Sequence, residues 1–201
     1  MSHKFESIFR LGFIAILISG CTTQVPVDDE IRIQNWQLHN EKLQKLITWE
    51  IKGRISMSID REAWSASLHW QQDNQEYLLK IIAPLGRGTI ELQGNESGVD
   101  MRLQRDEIKH AKDPESLLAD TFGWSVPVSG LLYWIRGLPD PEIKTSKILF
   151  DANGRITDME QSGWQLRYSG YNDEGDYQLP GKIYMNSGNL KIRLVIRDWS
   201  I

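Results

Sequence analysis

The chain has 201 residues, of which 25% are charged, with eight tryptophans, one cysteine and a formal net charge of −4. That length suits one domain with a real core. The mild acidity argues against nucleic acid, whose recognition rests on basic surfaces, and against a polybasic grip on anionic lipid.

The N-terminus is the first informative segment. Lys4 and Arg10 give it a basic start, Leu11 to Ile18 is apolar, and Ser19-Gly20-Cys21 follows. The pattern predicts a secretory signal over residues 1–20 with the ending read by lipoprotein signal peptidase, so that the mature chain begins at a lipidated Cys21. The apolar run is shorter than the about 20 residues a membrane-spanning helix needs. An ordinary cleaved signal would leave a free thiol at Cys21, whereas a thioether-linked lipid accounts for the lone cysteine. Thr22 and Thr23 lack the aspartate that commonly retains bacterial lipoproteins at the inner membrane, so delivery to the periplasmic face of the outer membrane is expected. Loss of Lys4, Arg10 and Glu6 with the signal makes the mature chain one charge more acidic.

Residues 21–29, with Pro26 and no periodicity, read as the lipidated end and its tether. A single domain is expected over 30–201. Ile33, Trp36, Asn40, Leu43 and Ile47 recur every three or four residues and predict an amphipathic helix over about 30–47. A two-residue alternation follows, with Trp49, Ile51, Gly53, Ile55, Met57 and Ile59 on one face of a strand. Trp64 to Trp70, Tyr77 to Ala83, Thr89 to Gln93 and Val99 to Leu103 continue it as an antiparallel meander with short turns. Asp113 as N-cap, Pro114 at the first helical position and Gly123 as stop predict a second helix. Val126 to Arg136 predicts a third, in which Gly130 is unfavourable. Strands resume at 147–151 and 155–161 around the Asn153-Gly154 turn, then at 164–168, 182–186 and 191–197. About nine to eleven strands with three helical pieces make a mainly β (α+β) chain: a curved antiparallel sheet or barrel with helices at one end or across an opening.

No catalytic constellation stands out. His3, His39, His69 and His110 are dispersed, and no cysteine pairing offers a metal site. Nucleophile-elbow and phosphate-binding motifs are missing. Glu107 and Asp120 could form an acid/base pair, but their spacing does not single them out from surface carboxylates. The expectation is a non-enzymatic protein with no cofactor, no metal and no catalytic residue.

Several segments then fall in a familiar order. His69-Trp70-Gln71-Gln72 is followed by Tyr77, Ala83-Pro84-Leu85-Gly86 and Ile90-Glu91-Leu92. Trp36 with His39, Gly53-Arg54, Pro127, Ser129-Gly130-Leu131, Trp134-Ile135, Gly137-Leu138-Pro139, Trp164 to Tyr168, Gly170-Tyr171, Pro180 and Asp198-Trp199 complete the set. From Trp36 to Trp199 the chain resembles the LolB family of outer-membrane lipoprotein receptors. The resemblance implies an unclosed antiparallel β-barrel with a helical lid over an apolar cavity, and a protruding loop with an exposed leucine, which falls on Leu85. It implies three partners: a LolA-like periplasmic lipoprotein carrier, acylated lipoprotein cargo and outer-membrane lipid. A monomer is expected. The soluble carrier shares the fold, and the lipidation signal at Cys21 separates the two.

Trp70, Trp134 and Trp164 are candidates to line the acyl cavity, against the plainer reading of core tryptophans. Leu85 stands between Pro84 and two glycines, Gly86 and Gly88, which permit a tight or protruding turn. It could wedge into the bilayer surface or fold back on the sheet edge. Arg87 departs from the small polar residue expected beside that loop. Two other readings remain: a lipid-anchored, lipocalin-like binder of a small apolar ligand, and an envelope scaffold lipoprotein with a filled interior.

Overall fold

The computed structural model describes residues 27–86, 88–103 and 107–201. The signal peptide, Cys21, the tether up to residue 26 and Arg87 lie outside the described residues. In chain order the elements are α1 (Val27–Gln44), β1 (Thr48–Ile59), β2 (Glu62–Asp73), β3 (Glu76–Ile82), β4 (Thr89–Asn95), β5 (Gly98–Arg102), β6 (Ile108–Ala111), α2 (Pro114–Phe122) and α3 (Val128–Trp134). Then come β7 (Thr145–Phe150), β8 (Ile156–Gln161), β9 (Trp164–Ser169), β10 (Asn172–Glu174), β11 (Tyr177–Leu179), β12 (Lys182–Ser187) and β13 (Leu190–Ser200).

Two antiparallel meanders form the sheet. β1 to β6 run consecutively on one side, β7, β8, β9, β12 and β13 on the other, and the first and last strands pair to join them. The 11-stranded sheet has β6 and β7 at its edges, so it is curved but unclosed. Alternation decides which face turns inward. On β9, Trp164, Leu166 and Tyr168 are buried while Gln165, Arg167 and Ser169 are exposed. On β13, Leu190, Ile192, Leu194 and Ile196 are buried before the period breaks.

That break has a geometric cause. Lys52 pairs with Asp198 and Gly53 with Ile196, leaving Arg197 as the extra residue of a bulge. The extra residue restores Trp199 to the inner face, where its Nε1 donates to the Pro180 carbonyl at 3.2 Å. A bulge strengthens local twist and bends the strand, here where the two meanders meet. Gly53 is required at this point because a Cβ would run into the Val195 carbonyl oxygen.

The helices differ from expectation in detail. α1 ends at Gln44, so Ile47 lies beyond it and is exposed, as is Ile33. Of the expected stripe Leu43 is buried and Trp36 partly covered, and Leu46, just past the helix, is buried where Ile47 is not. The stripe is phased by its neighbour: Trp36 stacks on Phe150 with ring centres 4.9 Å apart, and Asn35 Nδ2 donates to the Ala152 carbonyl at 2.9 Å. α2 has the caps its sequence predicts, with Asp113 accepting from the Ser116 amide at 2.7 Å and Gly123 left-handed at φ 70°. α3 is shorter than 126–136. Its Gly130 is buried against the Trp134 indole, which lies 3.3 Å from where a Cβ would stand. The β10–β11 hairpin was not expected from the sequence, because two three-residue strands leave too short a period to read.

Candidate functional site

The concave face of the sheet and the two helices α2 and α3 enclose the apolar interior. Ile55 and Met57 of β1, Leu68 and Trp70 of β2, and Leu194 of β13 meet Leu118, Val128, Leu131 and Ile135 from the helical side. The space left between them is an apolar cavity of about 50 Å³. That is room for one or two waters by volume, far less than an acyl chain occupies. The resemblance implied a cavity fit for a guest; in this arrangement the protein's own side chains fill nearly all of it. A guest therefore needs α2 and α3 to move away from the sheet.

The lid is held by a few specific bonds. Glu115 of α2 reaches the start of α3, its Oε1 accepting from the Ser129 amide at 2.7 Å. At the far end Trp134 Nε1 donates to Gln161 Oε1 at 2.8 Å. Arg136, buried just past α3, donates to the Leu46 carbonyl at 2.7 Å and lies over the Tyr133 ring at 5.6 Å. Its cation thus sits at the carbonyl-rich C-terminal end of α1, where positive charge is favoured, and burial lowers the pKa of the guanidinium.

The structure separates the three candidate tryptophans. Trp70 borders the cavity, with its Nε1 donating to Gln72 Oε1 at 3.1 Å. Trp134 and Trp164 pair with each other at 6.2 Å beyond the cavity lining, beside Gln161. Trp64 and Trp124 border the cavity and were not among the candidates. Nothing in the spacing marks Trp124, because it lies in the connection after α2, outside any periodic segment.

Leu85 is the outlier of the surface. It is 91% exposed, at the tip of the Pro84–Gly86 turn, with φ 60° and ψ 26°. The turn is closed by the Ala83 amide donating to the Gly88 carbonyl at 2.9 Å. A left-handed conformation costs a non-glycine residue about 1–2 kcal/mol, and exposure gives this leucine no burial to offset it. Neither packing nor backbone preference explains a leucine there. None of the described helices is long and apolar enough to cross a membrane.

A sequence profile of the outer membrane lipoprotein LolB family matches residues 47–199. The chain belongs to the LolB family. The outer-membrane lipoprotein LolB of Nitrosococcus oceani is 38% identical over 187 residues, covering 92% of this chain and 93% of its own. That of Pseudomonas aeruginosa is 36% identical over 195 residues, covering 96% and 95%. Membership makes this chain an outer-membrane lipoprotein receptor of lipoprotein localisation. The fold is shared more widely than the LolB sequence pattern. A LolA superfamily protein from Nitrosomonas europaea superposes with a TM-score of 0.58 at 9% identity, covering 85% of this chain and 93% of its own. A DUF1329 family protein from Desulfovibrio piger does so at 0.52 and 7% identity, covering 86% and 90%. The mainly β, unclosed antiparallel sheet with helices is thus a fold this chain shares with a LolA superfamily protein.

Proposed function

We propose that the chain, held at the outer membrane through a lipidated Cys21, accepts acylated lipoprotein cargo from a LolA-like periplasmic carrier and passes the acyl chains into the bilayer beside Leu85. Water makes shelter necessary, because each exposed methylene costs about 0.8 kcal/mol. The interior supplies an apolar wall on both sides once α2 and α3 part from the sheet. Met57 and Met185 at that wall suit a variable guest, since methionine adapts its shape. Trp70, with Trp64 and Trp124, is within reach of a short guest, whereas Trp134 and Trp164 are reached by a longer one. No covalent chemistry is needed. Most of the burial energy cancels between carrier, receptor and bilayer, and about 1.4 kcal/mol of difference already biases a step tenfold.

The observation that carries this reading is Leu85, an apolar side chain 91% exposed on a strained tip. An exposed leucine is stable against lipid and idle in water. The test is transfer of an acylated lipoprotein from the carrier to the chain and then to vesicles, with brominated acyl chains on the cargo. Leu85→Glu should accept cargo at the normal rate and lose roughly tenfold or more of the insertion step, while bromine should quench Trp70. Normal insertion by Leu85→Glu removes the role of the tip. The nearly filled interior favours a second reading, an envelope scaffold with no guest. Under it the unaltered chain accepts no cargo and its tryptophans stay bright.

A further inference from the structure

Among the residues that border the apolar cavity, most are sealed from solvent. Ile55, Trp64, Ile81 and Trp124 are the ones that are not. The first three stand on the inner face of β1, β2 and β3, and Trp124 faces them from the connection between α2 and α3. The wall between cavity and water is therefore one side chain thick along this seam, and two indoles close it. Trp64 and Trp124 stack with ring centres 5.2 Å apart and planes 23° apart. Phe122 stacks on the other face of the group, 4.6 Å from Trp124 and again at 23°. From these observations we infer that the acyl guest passes between Trp64 and Trp124, and that the Trp64–Trp124–Phe122 stack is the closure of this port.

The backbone around Trp124 suits a moving part. Gly123 ends α2 in a left-handed conformation, and Pro127 precedes α3, so the five-residue connection lies outside any regular element. Its backbone is tied to the two helices. Gly123 and Trp124 donate by their amides to the Ala119 and Leu118 carbonyls at 2.8 and 3.3 Å, and the Val126 and Pro127 carbonyls accept from the Val128 and Leu131 amides, both at 3.0 Å, so the connection follows the helices rather than the sheet. Trp64, by contrast, sits on β2, opposite Met57 in the register of the sheet. One indole is fixed and the other is carried on a short link. Parting them replaces one aromatic contact, worth about 0.5–1.5 kcal/mol beyond area, with contact to a hydrocarbon chain. The port also has a direction. The Pro84–Gly86 turn packs against β2, and β3 ends opposite Ser67 on the Trp64 side of that strand. A chain leaving between the indoles emerges at the end of the sheet that carries Leu85.

This inference rests on the receptor reading above, and the experiment keeps the two apart. The full chain carrying Trp64→Cys and Trp124→Cys is joined by a short bismaleimide with a reducible spacer, and uptake of an acylated lipoprotein from the carrier is timed before joining, after joining and after reduction. Joining should slow uptake about tenfold or more and reduction should restore it. A control pair, Trp36→Cys with Phe150→Cys, joins another stacked aromatic pair away from the cavity and should leave uptake unchanged. Uptake that proceeds at its normal rate through the joined port overturns the inference while leaving the receptor reading intact. No uptake by the unaltered chain overturns the receptor reading itself. Should the paired cysteines abolish uptake before joining, Trp124→Ala decides instead. It should speed uptake about threefold relative to Trp36→Ala, and equal rates overturn the port.

Discussion

Gln161 shows how much a single amide can settle. It is 1% exposed at the end of β8, and both ends of its side chain are engaged. Its Oε1 accepts from Trp134 Nε1 at 2.8 Å and from the Asp140 amide at 2.9 Å. Its Nε2 reaches the Asp140 carbonyl at 3.0 Å, the Ile143 carbonyl at 2.8 Å and Thr145 Oγ1 at 2.9 Å. The residue therefore fixes both the end of α3 and the path from it to β7. Gln161→Leu keeps the volume but leaves two buried N–H groups without acceptors, which costs about 2–4 kcal/mol. Urea denaturation should show that loss; a midpoint within error of the unaltered chain would mean that water or rearrangement satisfies both donors. Sequence spacing offered no sign of this role, since a glutamine at a strand end reads as surface. Leu85 was legible for the opposite reason. Proline before it fixes the backbone and glycines after it permit a tight turn locally, so the turn needed no distant partner to be read, and the resemblance supplied the exposure of the leucine.

At the scale of elements, α1 illustrates where periodicity stops being sufficient. The helix was expected from its three- and four-residue spacing, yet Ile33 stays exposed because the surface α1 meets is the β7–β8 turn, and Ile47 because the helix ends before it. Gly154 in that turn takes φ 76°, and any Cβ there would meet the α1 backbone at Asn35 and Trp36. His39 lies at the same junction, with its Nε2 buried and unpartnered among the described residues. Burial, then the nearby Arg155 and Lys42, holds the imidazole below its ordinary pKa of 6.5, while Asp151 opposes them. Arg155 is itself tied to Asp151 at 2.6 Å and lies over the Tyr171 ring at 5.0 Å, so the positive charge is fixed in place. The folded state favours the neutral ring, and the unfolded chain binds the extra proton first. Stability from this residue is present above pH 6.5 and falls as the pH drops through the folded value. His39→Leu should therefore flatten the decline of the urea midpoint just below pH 6.5. An unchanged slope would show that His39 is neutral in neither state preferentially.

At the scale of the whole molecule, the two meanders depend on one seam, the pairing of β1 with β13. These strands lie at opposite ends of the described chain, and the seam cannot form until nearly all of it is available. Gly53 lies in that seam against the Val195 carbonyl, at the bulge that turns Trp199 inward. Gly53→Ala should cost about 1–3 kcal/mol through the forced backbone shift. The expected readout is a lower urea midpoint together with a weaker near-ultraviolet signal from Trp199, and a midpoint at or above that of the unaltered chain would refute the clash.

Alternation of apolar and polar residues, capping residues and turn glycines all act within a few positions, and from them the sequence determined most of the strands and α2, while the resemblance supplied the exposed tip and the family. Only the tertiary structure decided the pairing of β1 with β13, the bulge, the phase of α1 and which tryptophans border the interior. Those depend on partners more than a hundred residues away, as Asn35 and Ala152 show, and pattern carries no information about such distances. The state of the interior was decided there as well. A sum of bulky side chains on inward faces is compatible with a hollow or a filled core, and packing of α2 and α3 against the sheet left about 50 Å³.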